Sequence, residues 1–396
     1  MATNARRWIR RKADLTARRT PSPRVLLCTT NGIGLGHLTR AMAIGRRLPT
    51  WLTPIVFTTS QAVPVVREQG FLVEHLPSAR PVPLDPTDWN LLYERRVEEL
   101  LTTYDPAVVV FDGVHPYPGM LWAASRRRHR HRRFLWCRRG MWRQGVGAEL
   151  IAQSQLFDGV LEPGEHAAAA DRGATATAED GAVRVDPILL VDPSQQRDRQ
   201  AARAELGLDP EGTWALVQLG AGAINDLSTT LGSVFAELRA TPGLRIAFAE
   251  SSLVPPRQDL PGGVVRLRRY PLATDLAAFD VVLTAAGYNT YHEVLAAGVP
   301  TVLVPNTSAR RDDQLARARF AHDTGVARCW DDDRRATLRA HLDDLLAPSA
   351  ATHVRRRLAA QPVRNGAGEA AAVVAQHALA TGAASPASMA AHGSDR

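Results

Sequence analysis

His37 closes the stretch TTNGIGLGH (29–37), in which glycines recur at alternate positions, and Arg40 follows three residues on. The strand-like run RVLLCTT (24–30) precedes the glycines and a helical pattern begins near Leu38, so they occupy a strand-to-helix turn. Backbone amides at such a turn, with the positive end of the helix dipole, favour a diphosphate, to which Gly34 and Gly36 would give close access. The dipole also lowers the pKa of an imidazole placed there. A neutral His37 could act as a general base, or simply cap the turn by hydrogen bonding. Arg40 could contact a phosphate or face solvent. A dinucleotide site needs G-x-G-x-x-G and an acidic residue about 20 positions on. Here the third glycine comes one place early, and no Asp or Glu lies between Gly36 and Glu68. No G-K-[ST] follows, which excludes a P-loop.

A second constellation lies in LTAAGYNTYHEVLAAGVPTVLVPN (283–306), where a strand turns through Gly287 into a helix ending at Gly298. First-turn amides near Asn289 can take a diphosphate. Thr290 and Glu293 share one helix face. A carboxylate one turn in can accept both hydroxyls of a ribose, although a lone glutamate on an amphipathic helix is commonplace. In RRDDQLARARF (310–320), Asp313 and Gln314 stand at a helix start, where they could bind sugar hydroxyls; an N-cap role for Asp312 or Asp313 is the alternative. In LGAGAIND (219–226), Gly220 and Gly222 could approach a ligand closely, with Asn225 or Asp226 capping the helix. Asp112 ends the strand-like run AVVVFD (107–112), where ligands collect in parallel sheets. It could orient His37, deprotonate an acceptor or cap a helix, and His115 is nearby. The arginines of RRGMWRQG (138–145) could meet an anionic acceptor such as a lipid phosphate, or form a solvated loop. WDDDRR (330–335) contains Asp-x-Asp, a manganese-binding pattern, but it precedes a helical pattern and reads as helix capping, so no metal is expected.

These residues need a frame of parallel strands. Strand-like runs at 24–30, 54–59, 107–112 and 133–137 alternate with amphipathic segments such as 38–48 and 89–104. The pattern restarts with strands near 214–220, 245–250, 281–286 and 300–305, separated by helices near 225–239, 287–298 and 311–323. Two doubly wound α/β halves joined near 187–198 are the simplest description. Two or three helices are expected after Asp331.

The chain has 396 residues, 45% hydrophobic and 22% charged, which suits a globular protein of about two domains. Three scattered cysteines give neither a zinc spacing nor a disulfide framework, so a reducing cytoplasm is the expected setting. No apolar run approaches the roughly 20 residues of a membrane span, and the arginine-rich first 22 residues lack a signal-peptide core. The net charge of +8 is concentrated in residues 6–19 and 126–133. A solvated face, anionic lipid headgroups and nucleic acid compete to explain it. Nucleic acid ranks last, because no recognition helix, metal finger or aromatic-plus-basic sheet motif accompanies the charge.

From about Arg24 to Ala380, with close matches only in the loops, the chain resembles the GT-B glycosyltransferases. The branch is the one containing the N-acetylglucosaminyltransferase of peptidoglycan lipid II synthesis, a bacterial cell-envelope enzyme. The resemblance implies two Rossmann-like domains facing across a cleft that closes on the donor, with a C-terminal helix crossing back to the N-domain. The corresponding boundaries are a basic segment 1–22, an acceptor domain 23–187, a donor domain 188–365, a crossing helix 366–380 and a disordered tail 381–396. It also implies UDP-sugar as co-substrate without a cofactor, the leaving diphosphate being stabilised by helix termini. Glu293 would hold the uridine ribose, Tyr270 and Leu272 would lie near uracil, and Gln314 and Asp313 near the sugar. Asp313 stands where that branch carries glutamine, Ala221 where it often has glycine or serine, and FDGVHPYPG (111–119) does not match its acceptor region.

The expected activity is inverting transfer of a sugar, an N-acetylhexosamine by this resemblance, to an acceptor hydroxyl, with His37 as base and Asp112 assisting. The acceptor would be lipid-linked or a small molecule, met in the cytoplasm or at the inner membrane face. GxGxGHxxR and AAGYNTYHE also resemble the nucleotide-sugar hydrolase of pseudaminic acid synthesis, and a non-catalytic partner subunit of the same fold is a third reading.

Overall fold

The computed structural model describes residues 22–30, 34–79, 82–220, 228–251, 253, 255–309, 311–331 and 337–383. Gly222, Asn225, Asp226, the basic stretch 6–19 and most of WDDDRR lie outside the described residues.

The first half contains strands β1 (Arg24–Thr29), β2 (Thr53–Thr58), β3 (Leu72–His75), β4 (Val108–Asp112), β5 (Arg133–Cys137), β6 (Gly159–Pro163) and β7 (Val183–Val185). They form one parallel sheet in the order β3-β2-β1-β4-β5-β6-β7. Its helices are α1 (Gly36–Arg47), α2 (Val63–Glu68), α3 (Pro86–Tyr104), α4 (Pro118–Ser125) and α5 (Ala148–Ile151). Continuous apolar runs such as Val25–Cys28 and Val108–Phe111 are buried along their whole length, as strands covered on both faces require. Side chains alternate between two cores. Val25, Leu27 and Val110 pack with Leu38 and Met42 of α1, whereas Leu26, Cys28 and Phe111 pack with Trp89, Tyr93 and Val97 of α3.

The second sheet repeats the plan with β8 (Thr213–Gln218), β9 (Leu244–Ala249), β10 (Val265–Leu267), β11 (Val281–Thr284), β12 (Thr301–Leu303) and β13 (Arg328–Cys329), ordered β10-β9-β8-β11-β12-β13. All pairings are parallel. The helices are α6 (Arg199–Leu206), α7 (Ser228–Arg239), α8 (Tyr288–Ala297), α9 (Gln314–Asp323), α10 (Leu338–Leu345), α11 (Ala350–Ala360) and α12 (Ala367–Leu379). The last of these returns to the first domain, where Ala370, Ala371 and Val374 join the α1 side of its core. Gly366, just before α12, donates its N–H to the Pro187 carbonyl at 2.9 Å. A Cβ there would sit 2.1 Å from the Asp186 carbonyl oxygen, so the return needs glycine.

In both sheets the strand order reverses beside the first strand, between β1 and β4 and between β8 and β11. Crevices open at the carboxyl ends of strands at such points. The basic block 126–133 is tied into the first domain: Arg126 pairs with Glu94 (2.5 Å), Arg128 with Glu98 (2.8 Å), Arg132 with Asp105 (2.7 Å) and Arg133 with Asp158 (2.9 Å). Much of its charge is therefore met by carboxylates of its own domain. No helix among the described residues is long and apolar enough to cross a membrane.

Candidate active site

The two crevices face each other and merge into one cleft of about 410 Å³. One wall comes from the turn after β1, with Gly34, Gly36 and His37. The opposite wall carries Gly220 after β8, Tyr270 and Leu272 after β10, and Gly287, Asn289, Thr290 and Glu293 at the start of α8. Gln314 completes it. Gly220 adopts φ +95°, open to glycine, and a Cβ on Gly36 would meet nothing within 4 Å because it would point into open space.

His37 is the second residue of α1, whose first turn holds no acidic side chain and no side-chain cap. Asp112 lies behind it at the end of β4, 2% exposed. The His37 Nδ1–H donates to Asp112 Oδ1 at 2.6 Å. The Arg40 Nη2 lies 2.9 Å from the same nitrogen, but both groups are donors there, so each directs its proton to the carboxylate. Arg40 donates Nε to Asp112 Oδ2 at 2.9 Å and Nη2 to Oδ1 at 2.5 Å. This proton placement follows from the network. It leaves Nε2 as the basic nitrogen of an imidazole on the cleft wall. Burial lowers the His37 pKa, with Asp112 opposing, so the ring is neutral and able to accept a proton. Burial would raise Asp112, but the Arg40 charge and the His37 hydrogen bond overcome it and hold the carboxyl at about 2. Two readings of the sequence are settled differently from their alternatives. Asp112 caps no helix, and Arg40, only 1% exposed, faces Asp112 rather than solvent, its Nη1 left with a 3.5 Å contact to Asn289 Oδ1.

Across the cleft, α8 begins after Gly287 with no side-chain cap and no acidic residue in its first turn. Its leading amides therefore point toward the cavity end of the helix without a side-chain acceptor, a ready anion site. Glu293 lies one turn further in, and burial pushes its pKa up to about 7. Gln314 is held by accepting the Asn306 N–H at 3.0 Å and donating to Asp312 at 3.3 Å. Its amide nitrogen comes within 4.0 Å of the Cβ position on Gly287. Asp313 does not line the cleft. It is the N-cap of α9, accepting the Ala316 N–H at 3.0 Å, and its neighbour Asp312 takes the cleft position instead. His115 also lies away from the cavity wall and accepts from Arg311 at 2.8 Å.

The walls touch at several points. Asn289 Nδ2 donates to the Gly36 carbonyl at 3.1 Å, and the Thr39 and Tyr270 hydroxyls are 2.8 Å apart. The Tyr288 hydroxyl accepts from the Ile188 N–H and donates to the Gly164 carbonyl. Sequence reasoning did not single out Arg139, Glu250 or Asp312 as cleft residues. Arg139 had a signal, being one of the arginines just past a parallel strand's carboxyl end.

Solved structures of the same architecture define the class. The glycosyltransferase of kitacinnamycin has 20% identity and a TM-score of 0.63, the match covering 90% of this chain and 100% of that one. The MurG of Acinetobacter baumannii has 18% identity and a TM-score of 0.56, covering 89% and 99%. The spinosyn forosaminyltransferase SpnP has 16% identity and a TM-score of 0.62, covering 90% and 99%. At such identities the likeness is one of fold, and the fold is GT-B.

The sequence is more particular in the second half. Residues 269–371 match the glycosyltransferase family 28 C-terminal domain, a span that includes Tyr270, α8 and Gln314. The UDP-N-acetylglucosamine--N-acetylmuramyl-(pentapeptide) pyrophosphoryl-undecaprenol N-acetylglucosamine transferase of Clavibacter michiganensis subsp. michiganensis is 31% identical over 173 residues, 43% of this chain and 47% of that protein. The enzyme of the same description from Clavibacter sepedonicus is 30% identical over the same lengths. The chain thus spans about half the length of the curated relatives it matches.

Proposed function

We propose that the protein is an inverting, metal-independent glycosyltransferase that moves a sugar from a UDP-sugar to an acceptor hydroxyl. The observation that carries this is the meeting, in one cleft, of a buried His37–Asp112 pair on one wall with an uncapped helix start and Glu293 on the other. Glu293 accepts both ribose hydroxyls, the amides of α8 hold the diphosphate, and Tyr270 and Leu272 flank the uracil. Gln314 reads the sugar, which the Clavibacter relatives point to as N-acetylglucosamine. His37 Nε2 takes the acceptor's proton while the acceptor oxygen bonds to the anomeric carbon. The bond from that carbon to the β-phosphate oxygen breaks, and its electron pair leaves with UDP. Attack from the face opposite the diphosphate inverts the anomeric centre. Asp112 fixes the His37 tautomer and stabilises the imidazolium formed. Helix amides that point at the leaving diphosphate supply the electrostatic stabilisation. The acceptor is lipid-linked, as the printed names of the Clavibacter relatives suggest.

The test is UDP release from UDP-N-acetylglucosamine in EDTA, with and without an undecaprenyl-diphosphate-linked acceptor, followed by NMR of the product anomer. Acceptor-dependent release with inversion is expected. Sugar release at full turnover without acceptor would make the protein a hydrolase, and unchanged activity in His37→Ala would remove the base.

A further inference from the structure

Four arginines line the cleft: Arg40, Arg139, Arg268 and Arg269. Two of them are held closely by carboxylates. Arg40 is locked to Asp112. Arg269 pairs with Glu205 at 2.8 Å and Asp275 at 2.7 Å. Arg268 makes a long bond, 3.4 Å, to the Ser251 carbonyl beside the expected base pocket. Among the described residues the hydrogen-bond partner of Arg139 is Asp312, at an equally long 3.4 Å. Asp312 has a better partner of its own in Arg317, at 3.0 Å, so it loses no essential bond if Arg139 turns away. The Arg139 guanidinium lies 5.8 Å from the ring centroid of Tyr288, the first residue of α8, with Arg40 at 5.2 Å from the same ring, and shares the cleft with the uncapped helix start.

From this placement we propose that Arg139 is a diphosphate-binding residue of the donor site, delivered from the opposite domain. It exchanges its long bond to Asp312 for the departing diphosphate. The inference rests on the nucleotide-sugar reading above. Charge favours such a residue beside the helix amides: a helix start supplies only about half a positive charge, whereas the diphosphate carries one negative charge on each phosphate and gains another as the bond to the sugar breaks. A planar guanidinium meets phosphate oxygens through two parallel N–H bonds. The backbone supports the placement, because Met141, two residues on, is buried with φ +55°, a costly conformation for a side chain with a Cβ. Asp171 accepts the Met141 N–H at 2.9 Å, and the Met141 carbonyl accepts the Asp313 N–H at 2.9 Å. The turn bearing Arg139 is thereby fastened to the start of α9. Burial lowers the Arg139 pKa, and Asp312 offsets this against the guanidiniums of Arg40 and Arg317. An anion arriving in the cleft would relieve that opposition.

The experiment is calorimetric titration of UDP and of uridine, without acceptor, into wild type and Arg139→Gln. The expected result is about ten- to a hundredfold weaker UDP binding with uridine unchanged. Arg139→Lys keeps the charge but not the fork, and serves where Arg139→Gln fails to fold; it should lose UDP affinity severalfold, again sparing uridine. An unchanged ratio of UDP to uridine affinity in either folded variant overturns the assignment. If wild type binds neither UDP nor uridine, the nucleotide-sugar reading fails first, and that result is distinct from an unchanged ratio.

Discussion

Replacing Asp112 by Asn separates two jobs that one carboxylate performs. Asp112 is 2% exposed and takes three hydrogen bonds, from His37 Nδ1 at 2.6 Å and from Arg40 at 2.9 and 2.5 Å. An asparagine keeps the shape, but its amide nitrogen must face a donor, and the Arg40 charge is left buried and unmatched. Breaking a buried pair this way costs about 3–5 kcal/mol. Loss of the charge that orients His37 should lower kcat/KM by about 10²- to 10⁴-fold. His37→Ala leaves the Arg40–Asp112 pair standing, so it should abolish transfer while costing much less stability. The pH dependence carries a further signature. The Asp112 carboxyl is depressed in the folded state, from 3.8 to about 2, so its stabilisation is complete above the unfolded value and is lost as pH falls through 4 toward 2. That contribution is about 2 kcal/mol and should be missing from Asp112→Asn. Urea unfolding at several pH values, beside a UDP-release assay, measures both effects. An Asp112→Asn protein with wild-type turnover, or one destabilised no more than His37→Ala, would refute the reasoning.

Other outcomes follow from the same geometry. Because burial holds Glu293 near 7 and its ionised form accepts the ribose hydroxyls, uridine affinity should fall about tenfold between pH 8 and pH 6. Titration calorimetry of Glu293→Gln should show a flat, weak profile; a wild-type slope in that variant would count against ribose contact. Asp313→Ala removes the α9 cap and should cost about 1 kcal/mol in urea melts with the donor KM nearly unchanged, whereas Gln314→Ala should raise the donor KM with stability kept. Gly366→Ala forces a Cβ onto the Asp186 carbonyl and should lower thermal stability by at least about 1–3 kcal/mol; a neutral result would mean that the α12 return does not need glycine.

The long buried strands could be read from their sequence, because a strand covered on both faces must be an unbroken apolar run. Thus Val108–Asp112 and Val281–Thr284 fall inside the predicted runs. Strand β6 was not anticipated, its short run GVLEP ending in Glu162 and Pro163, and nor were the edge strands β3, β7, β10 and β13. Those edge strands have two to four residues, several of them charged, and neighbours rather than periodicity define them. Within the site, turn chemistry identified the glycines and the start of α8. The contact between His37 and Asp112 joins residues 75 apart. It depends on β1 and β4 being neighbours at the point of strand-order reversal, which a one-dimensional pattern can suggest but cannot establish. Arg40 shows the remaining gap. Its spacing from His37 put both on one helix face, yet whether that face met solvent, phosphate or a carboxylate depended on β4. Asp312 and Asp313 show the same limit at its finest: adjacent aspartates at a helix start look alike until the backbone assigns one to the cap. Arg139 stayed hidden among several arginines because the path of the backbone after β5, not their spacing, decides that Arg139 lines the cleft while Arg138 is buried against Glu162 and Asp180.

The most direct test of the central claim is the melting temperature of the protein in UDP, UDP-N-acetylglucosamine, GDP-mannose and dTDP-glucose, beside the Glu293→Ala variant. A ligand present at a hundred times its Kd stabilises the folded state by about 2.7 kcal/mol. The UDP compounds should raise the wild-type melting temperature, the other nucleotides should do so less, and Glu293→Ala should respond weakly to all of them. A wild-type protein that no UDP compound stabilises, or a Glu293→Ala variant stabilised as much as wild type, would contradict the account.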